Sequence, residues 1–410
     1  MRRFDPAWLV ILAGVCAALH VGKLPAALPV LRDSLGISLM QAGFLLSLVQ
    51  LAGMTLGVAV GLFADRLGLL RTMLGGLWIL AGASALSGAV DRPAQLLALR
   101  GVEGLGFLLV TMPAPGLIRR LVEPANLSAF LGWWGTFMPL GTALALLGGP
   151  WMIGLAGWTG LWEALAALTI LMAWLLAARV PKELAPARGA AFAATWPVRL
   201  RETLSARGPW LVALFFALYS AQWLAVIGFL PSIYLQAGLA GGLTALATAS
   251  VAAVNIVGNV AAGHLLQRGV GADRLLLTGF AVMGLGAWVA FGDVASGLPA
   301  SGGMAVRYGA VLLFSMVGGM IPGTLFSLAV RVAPSEGTVS TTVGWMQQWS
   351  ALGQFTGPPL VAWAASRAGD WGGTWRVTGA CAMLGIVMTL LGRGRLGSAG
   401  RPPPGPFVRP

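Results

Sequence analysis

Four ionisable residues stand inside otherwise apolar sequence. His20 and Lys23 lie three positions apart in the first apolar run, and Arg100 and Glu103 lie three apart in a later one. On a helix that spacing puts both members of a pair on one face. Ionisable groups in such surroundings are costly unless paired or hydrated, so they mark chemistry. Lys23 and Arg100 are cations able to hold an anion through charge-assisted hydrogen bonds. Glu103 is a carboxyl able to carry a proton, and His20 bears the imidazole that ordinarily titrates near neutral pH. Plainer readings stand beside these. Lys23 can snorkel or pair structurally, Arg100 and Glu103 can neutralise each other one turn apart, and His20 can be a satisfied core histidine.

Uncharged polar residues gather in the other half of the chain. Tyr219 and Gln222 share a helical face, Asn255 and Asn259 stand one turn apart, and Gln347, Gln348 and Gln354 fall in one segment. A cationic first half opposed to an amide-rich second half suits a small anion. The amides can equally tie helices together. Trp133, Trp134, Trp345 and Trp349 are candidates for a cavity wall or for aromatic packing.

The elements that must position these residues follow from composition. The 410 residues are 57% hydrophobic and 10% charged, with mean hydropathy +0.83. A water-facing surface needs far more charge. Runs of about 20 apolar residues are long enough to cross a bilayer as helices. They are predicted at 8–31, 40–63, 72–90, 94–117, 128–152 and 158–178, then at 209–235, 243–266, 274–292, 305–329, 338–363 and 374–392. The expected fold is an all-α membrane protein with twelve transmembrane helices in two six-helix bundles. Residues 1–178 form one bundle, 179–207 a linker with a short surface helix near 196–205, 208–392 the second bundle, and 393–410 a disordered tail. The apolar run after Arg2 and Arg3 reads as an uncleaved first helix.

The net charge of +13 raises the possibility of nucleic acid, but its distribution speaks against it. With the N-terminus in the cytoplasm, nineteen Arg and Lys residues lie on the inner side. Four, Arg32, Arg92, Arg367 and Arg376, lie outside. That asymmetry is the positive-inside pattern, so both termini are expected in the cytoplasm, in the inner membrane of a bacterium. Cys16 and Cys381 fall in apolar runs with no disulfide or metal spacing. No cofactor or metal is expected, and a monomer is. His20 and His264 are too far apart in sequence to suggest a catalytic cluster.

The two bundles repeat. Gly61 to Arg66 aligns with Gly263 to Arg268 at an offset of 202, which also pairs Pro29 with Pro231. Gly132, Trp133 and Gly141 match Gly344, Trp345 and Gly353, and Trp158 and Trp162 match Trp371 and Trp375. Parallel repeats of this kind place a substrate site between the halves, near mid-membrane.

After the second span stands Gly61-x-x-x-Asp65-Arg66-x-Gly68, followed by Arg71, and the fourth span holds Arg100-x-x-x-Gly104-x-Gly106. With these motifs the chain resembles the major facilitator superfamily over nearly its whole length. The resemblance implies a secondary transporter that works by alternating access, driven by a proton or counter-solute gradient. Gly61, Asp65, Arg66, Gly68 and Arg71 would form its conformational latch. Leu69 and Leu70 depart from the family pattern, which usually has basic residues there. Lys23-Leu24-Pro25 and Pro29 are similar to the first-span pattern of the cyanate and nitroimidazole transporter branch, with Lys for Arg and one residue inserted. That likeness implies a small anionic or weakly acidic solute and leaves its identity open. The residue types make Lys23, Arg100, Tyr219, Gln222, Asn255, Asn259, Gln347 and Gln348 its candidate site, with Glu103 and His20 as candidate proton carriers. Efflux of organic compounds is the alternative. Its span-five motif is matched in part by Gly141, Gly149 and Pro150. A transporter-like receptor is a further reading.

Overall fold

The computed structural model describes residues 5–123, 126–181, 196–295 and 299–398, and the side chains at 61–66, 127–129, 295, 300–301, 336 and 393–398 lie outside that description. Among the described residues every regular element is helical. The spans are α1 (Pro6–Leu35), α2 (Leu39–Val60), α3 (Leu69–Gly88) and α4 (Pro93–Leu121). Phe130–Arg179 is a single apolar stretch that Gly157, at φ 70°, divides into α5 (130–156) and α6 (158–179). Glycine adopts that left-handed conformation without steric cost, which makes the turn possible. The second set is α7 (Arg207–Gln236), α8 (Gly241–Gln267), α9 (Ala272–Phe291), α10 (Gly302–Val332), α11 (Val339–Ala368) and α12 (Thr374–Ser398). The linker helix spans Trp196–Ser205. The last span continues past the predicted end at 392 to Ser398, because Gly and Arg there break no backbone hydrogen bonding. An even number of crossings brings the C-terminal end of α12 to the face from which α1 starts, here called the terminal face.

Local chemistry sets several boundaries. Asp5 accepts a hydrogen bond from the Ala7 amide at 2.9 Å, and Pro6 needs no partner at the first helical position. α2 opens with a capping box of Ser38 and Gln41. It tightens into a 3-10 turn at Leu48–Gln50, and α8 breaks at Val254, near the repeat-related position.

Within each half, small residues draw helices together. Gly353 and Gly357 of α11 rest on the backbone at Ala217 and Ala221 of α7, and Gly141 of α5 rests on Ala18 of α1. A side chain at any of the three would run into the facing helix. The motif glycine Gly104 sits against the Val49 carbonyl of α2 in the same way.

The halves meet along three seams, α1 with α7, α2 with α11 and α5 with α8. α2 follows α11 along its length. α8 meets α5 mainly through Gly241–Ala253, the part remote from the terminal face, and diverges from it beyond Asn255. The far end is sealed by a core shared between the halves, which brings Leu24, Leu28, Leu31, Leu45 and Leu46 against Ala225, Phe229, Val361 and Ala362. The interface is therefore closed on the far side and parted between α5 and α8 on the terminal side.

Candidate functional site

Between the halves lies a cavity of about 110 Å³. It sits from mid-span toward the terminal face, where α5 and α8 separate. The first half lends it Gln50 and Gly53 of α2, Phe107, Leu108, Thr111 and Met112 of α4, and Phe137, Met138 and Pro139 of α5. The second half lends Phe216, Tyr219, Ser220 and Trp223 of α7, Asn255 and Asn259 of α8, Pro322 and Phe326 of α10, and Gln347, Ser350 and Gln354 of α11. The spacing of 216, 219/220 and 223 along α7 is that of one helical face. Among the described residues no Asp, Glu, Lys or Arg lines this cavity.

Hydrogen bonds fix most of its polar wall. Asn255 Nδ2 donates to Tyr219 Oη at 2.9 Å and to the Ser315 carbonyl at 2.8 Å. Asn259 Nδ2 donates to Asn255 Oδ1 at 3.0 Å, and Trp223 Nε1 donates to Ser315 Oγ at 3.2 Å. Across the seam Gln50 Nε2 donates to Gln354 Oε1 at 3.0 Å. Gln354 Nε2 in turn donates to Ser350 Oγ at 3.3 Å, and Ser350 meets Ser220 at 2.7 Å. The wall is aromatic and apolar with a pre-arranged amide and hydroxyl stripe, the pattern of a site for organic molecules.

Lys23 and Arg100, expected at an anion site, stand outside this wall in the interior of the first half. Lys23 is 0% exposed and Arg100 2%. Glu103 explains the placement. One carboxylate oxygen meets Lys23 Nζ at 2.6 Å, and the other meets Arg100 Nη1 at 2.6 Å. The pair expected within α4 is present and extends to α1. Lys23 Nζ also donates to Ser84 Oγ at 2.9 Å and approaches His20 Nδ1 at 3.2 Å, so its three N–H donors are all engaged. It lies 4.5 Å from the centre of the Trp162 ring. Thr169 gives its hydroxyl proton to the Leu165 carbonyl at 2.7 Å, so it accepts from His20 Nε2 at 2.8 Å. That leaves His20 Nδ1 as the acceptor facing Lys23 and assigns the neutral Nε2–H tautomer. Arg100 donates further to the carbonyls of His20 at 2.7 Å and Leu45 at 3.2 Å. The cluster joins α1, α2, α3, α4 and α6, and holds two cations against one carboxylate.

Among the other residues named from sequence, Tyr219, Asn255, Asn259 and Gln347 line the cavity, while Gln222 and Gln348 do not. Gln348 serves the α2–α11 seam. Its Oε1 accepts from the Val58 amide at 3.0 Å and its Nε2 donates to the Met54 carbonyl at 2.9 Å. Gln222 points to the opposite flank of α7. Trp134 stacks on Phe137, and Trp345 and Trp349 pack with Trp210, all away from the cavity wall. Gln50, Thr111, Ser220, Trp223 and Ser350 line the wall without having been singled out. An amide in the middle of an apolar span was the available signal for Gln50. Of the latch residues, the side chains of Gly61, Asp65 and Arg66 lie outside the described residues. Gly68 takes φ 92° in the turn from α2 to α3, and Arg71 is exposed.

Curated relatives and solved structures bear on this architecture. Multidrug resistance protein MdtH from Yersinia pestis (strain Pestoides F) is 30% identical over 154 residues, and so is its counterpart from Yersinia pseudotuberculosis serotype O:1b (strain IP 31758). That match covers 36% of this chain and 37% of each relative. A crystal structure of a bacterial homologue of the human lysosomal transporter Spinster, inward-facing and occupied, superposes with a TM-score of 0.77 at 16% identity. It covers 97% of this chain and 98% of its own. The unoccupied inward-facing form gives 0.74 at 15% identity, covering 98% of both chains. At such identity the likeness speaks for the fold. The family model described as Major Facilitator Superfamily matches residues 10–358, from the first span into the eleventh. With the duplicated bundles and a cavity on their common seam, that match makes the assignment plain: the chain belongs to the Major Facilitator Superfamily of membrane transporters.

Proposed function

We propose that the protein is a secondary transporter that exports uncharged, amphipathic organic compounds by alternating access, with a proton as the coupling ion. The lining of the central cavity carries this reading. Six aromatic side chains, Phe107, Phe137, Phe216, Tyr219, Trp223 and Phe326, line it together with amides and hydroxyls, and no charged group among the described residues does. A small hydrated anion would lose its water in such a site without gaining a counter-charge. The cations that suggested an anion, Lys23 and Arg100, are committed to Glu103. Relatives named for multidrug resistance, matched over 36% of this chain, are in keeping with export of organic compounds.

The buried cluster is the coupling site in this reading. A proton moving through the cluster changes the balance between Glu103 and the two cations it holds. The Lys23–Glu103 pair that joins α1 to α4 then weakens, and the tie between the two helices falls to the bond from Arg100 to the His20 carbonyl. α1 also packs against α7 across the interface, so the change reaches the gate. The positive-inside pattern supports an inner-membrane protein with both termini in the cytoplasm. The terminal-side opening would then face the cytoplasm and the sealed end the exterior.

Proteoliposomes holding the full chain test the proposal. Under an imposed pH gradient, movement of an uncharged aromatic fluorophore is followed beside that of a radiolabelled small anion. The expected result is gradient-dependent movement of the fluorophore alone. Movement of the anion without the fluorophore would sink the reading, as would binding with no counterflow, which describes a receptor.

A further inference from the structure

A second concavity, of about 210 Å³, lies between α7, α11 and α12. It is on the other side of α7 from the central cavity, against Ala217 and Ala221 rather than Phe216, Tyr219 and Ser220. Thr356 and Leu360 at its rim are exposed, so it opens on the flank of the bundle, toward lipid. Its wall is almost wholly apolar. Its polar groups are the hydroxyls of Thr356 and Thr378, the Cys381 thiol and the amide of Gln222, the residue that sequence marked and the transport cavity does not use.

The Gln222 side chain is 1% exposed. Its Nε2 donates to the Leu218 carbonyl at 2.9 Å, which fixes which way the amide faces. Its Oε1 is buried and has no partner. A buried carbonyl oxygen without a donor is costly, so a native structure rarely keeps one without a use. The neighbouring hydroxyls do not supply the donor. Thr356 donates to the Leu352 carbonyl at 3.0 Å and Thr378 to the Thr374 carbonyl at 3.1 Å.

The internal repeat shows how the second half came to differ. At the offset of 202, Gln222 corresponds to His20. His20 finds its partner in Thr169 of α6, at 2.8 Å. The offset that pairs Trp162 with Trp375 pairs Thr169 with Ala382, which has no hydroxyl. The first half meets its polar residue with a side chain from the sixth span. The second half leaves a buried acceptor without a partner, on a residue that lines a crevice.

We propose that this crevice binds a small membrane-dissolved alcohol or phenol, whose hydroxyl donates to Gln222 Oε1 and whose apolar body lies against α7, α11 and α12. Gln222 is near the middle of α7, so the ligand arrives from the hydrocarbon. An apolar protein cavity of about 150 Å³ holds benzene, and this one has room for a substituted ring. Among the described residues none that is charged lines its wall, which disfavours ionised ligands. The bound molecule touches Gly353 and Gly357 where they rest on α7, and so occupies the joint at which those two helices would slide.

The test uses the purified full-length protein in detergent, titrated with 4-iodophenol and with iodobenzene, with binding read from thermal stabilisation. Ligands of the folded state raise its melting temperature. The expected preference for the phenol is about five-fold, the worth of one net hydrogen bond. Gln222→Leu should abolish that preference while iodobenzene still binds. Cys381→Phe, or the milder Cys381→Leu, should weaken both ligands by filling the crevice, and anomalous scattering from iodine should place the phenol beside Gln222. Equal affinity of the two ligands in the native protein overturns the proposal, as does a preference that survives Gln222→Leu. Binding unaffected by either Cys381 variant, or iodine found in the central cavity, does the same.

Discussion

Removing the charge of Glu103 should damage the fold far more than removing that of Lys23, although the two touch at 2.6 Å and both are buried. Glu103→Gln leaves Lys23 and Arg100, at 0% and 2% exposure, with no counter-charge. Breaking a buried pair by deleting one partner typically costs about 3–5 kcal/mol, and here a single deletion breaks two pairs. Lys23→Met instead leaves Arg100 and Glu103 as a complete one-to-one pair at 2.6 Å. It lowers the cluster's net charge from +1 to zero and replaces a buried ammonium with an apolar chain of similar length. Its cost reduces to the unmet Nδ1 of His20 and the lost bonds to Glu103 and Ser84, about 1–3 kcal/mol. The assay is the temperature at which half of the detergent-solubilised protein remains monodisperse, measured for both variants and for the double variant. Glu103→Gln should lose the most, Lys23→Met the least, and the double variant, with one uncompensated cation, should fall between. Equal losses for the two single variants, or a larger loss for Lys23→Met, would refute the assignment of Glu103 as the shared counter-charge.

Asn255→Leu keeps the volume of the cavity wall but removes the bonds to Tyr219 and to the Ser315 carbonyl. Transport of a hydroxylated substrate should fall about ten-fold, mainly through KM, with little effect on an apolar analogue; initial rates in proteoliposomes check this. Gln348→Leu removes two hydrogen bonds across the α2–α11 seam, worth about 1 kcal/mol each. Labelling of a cysteine placed at Gly57, which faces Gln348, should become faster on the terminal side. Gly357→Val drives a branched side chain into the Ala221 backbone; overpacking of this kind costs about 1–3 kcal/mol and should lower thermal stability. Asp65→Asn should impair uptake or efflux more than it impairs expression, and a well-expressed variant with normal flux would rule out the latch.

The sequence by itself determined the crossings, their grouping into halves, the duplication and the family. Crossing is a property of one contiguous segment, because a helix in hydrocarbon satisfies its own backbone hydrogen bonds. Hydropathy therefore sufficed except at α11, whose polar residues leave it short of the hydropathy of the other spans and whose place in the bundle is set by its packing on α2 and α7. The ionisable residues inside the spans were also legible, since burial makes them rare. Their relations were not. The bond from Lys23 to Glu103 joins positions 80 apart and depends on how α1 and α4 are rotated about their own axes. That rotation is set by close contacts such as Gly104 on Val49 and Gly141 on Ala18, to which every packed helix contributes. Tertiary structure alone thus decided that Lys23 and Arg100 share Glu103 within the first half. It also turned Asn255 and Tyr219 to the cavity, Gln348 to the seam and Gln222 to the far flank of its own helix. A sequence states which polar groups must be satisfied, and the packing of helices decides what satisfies them.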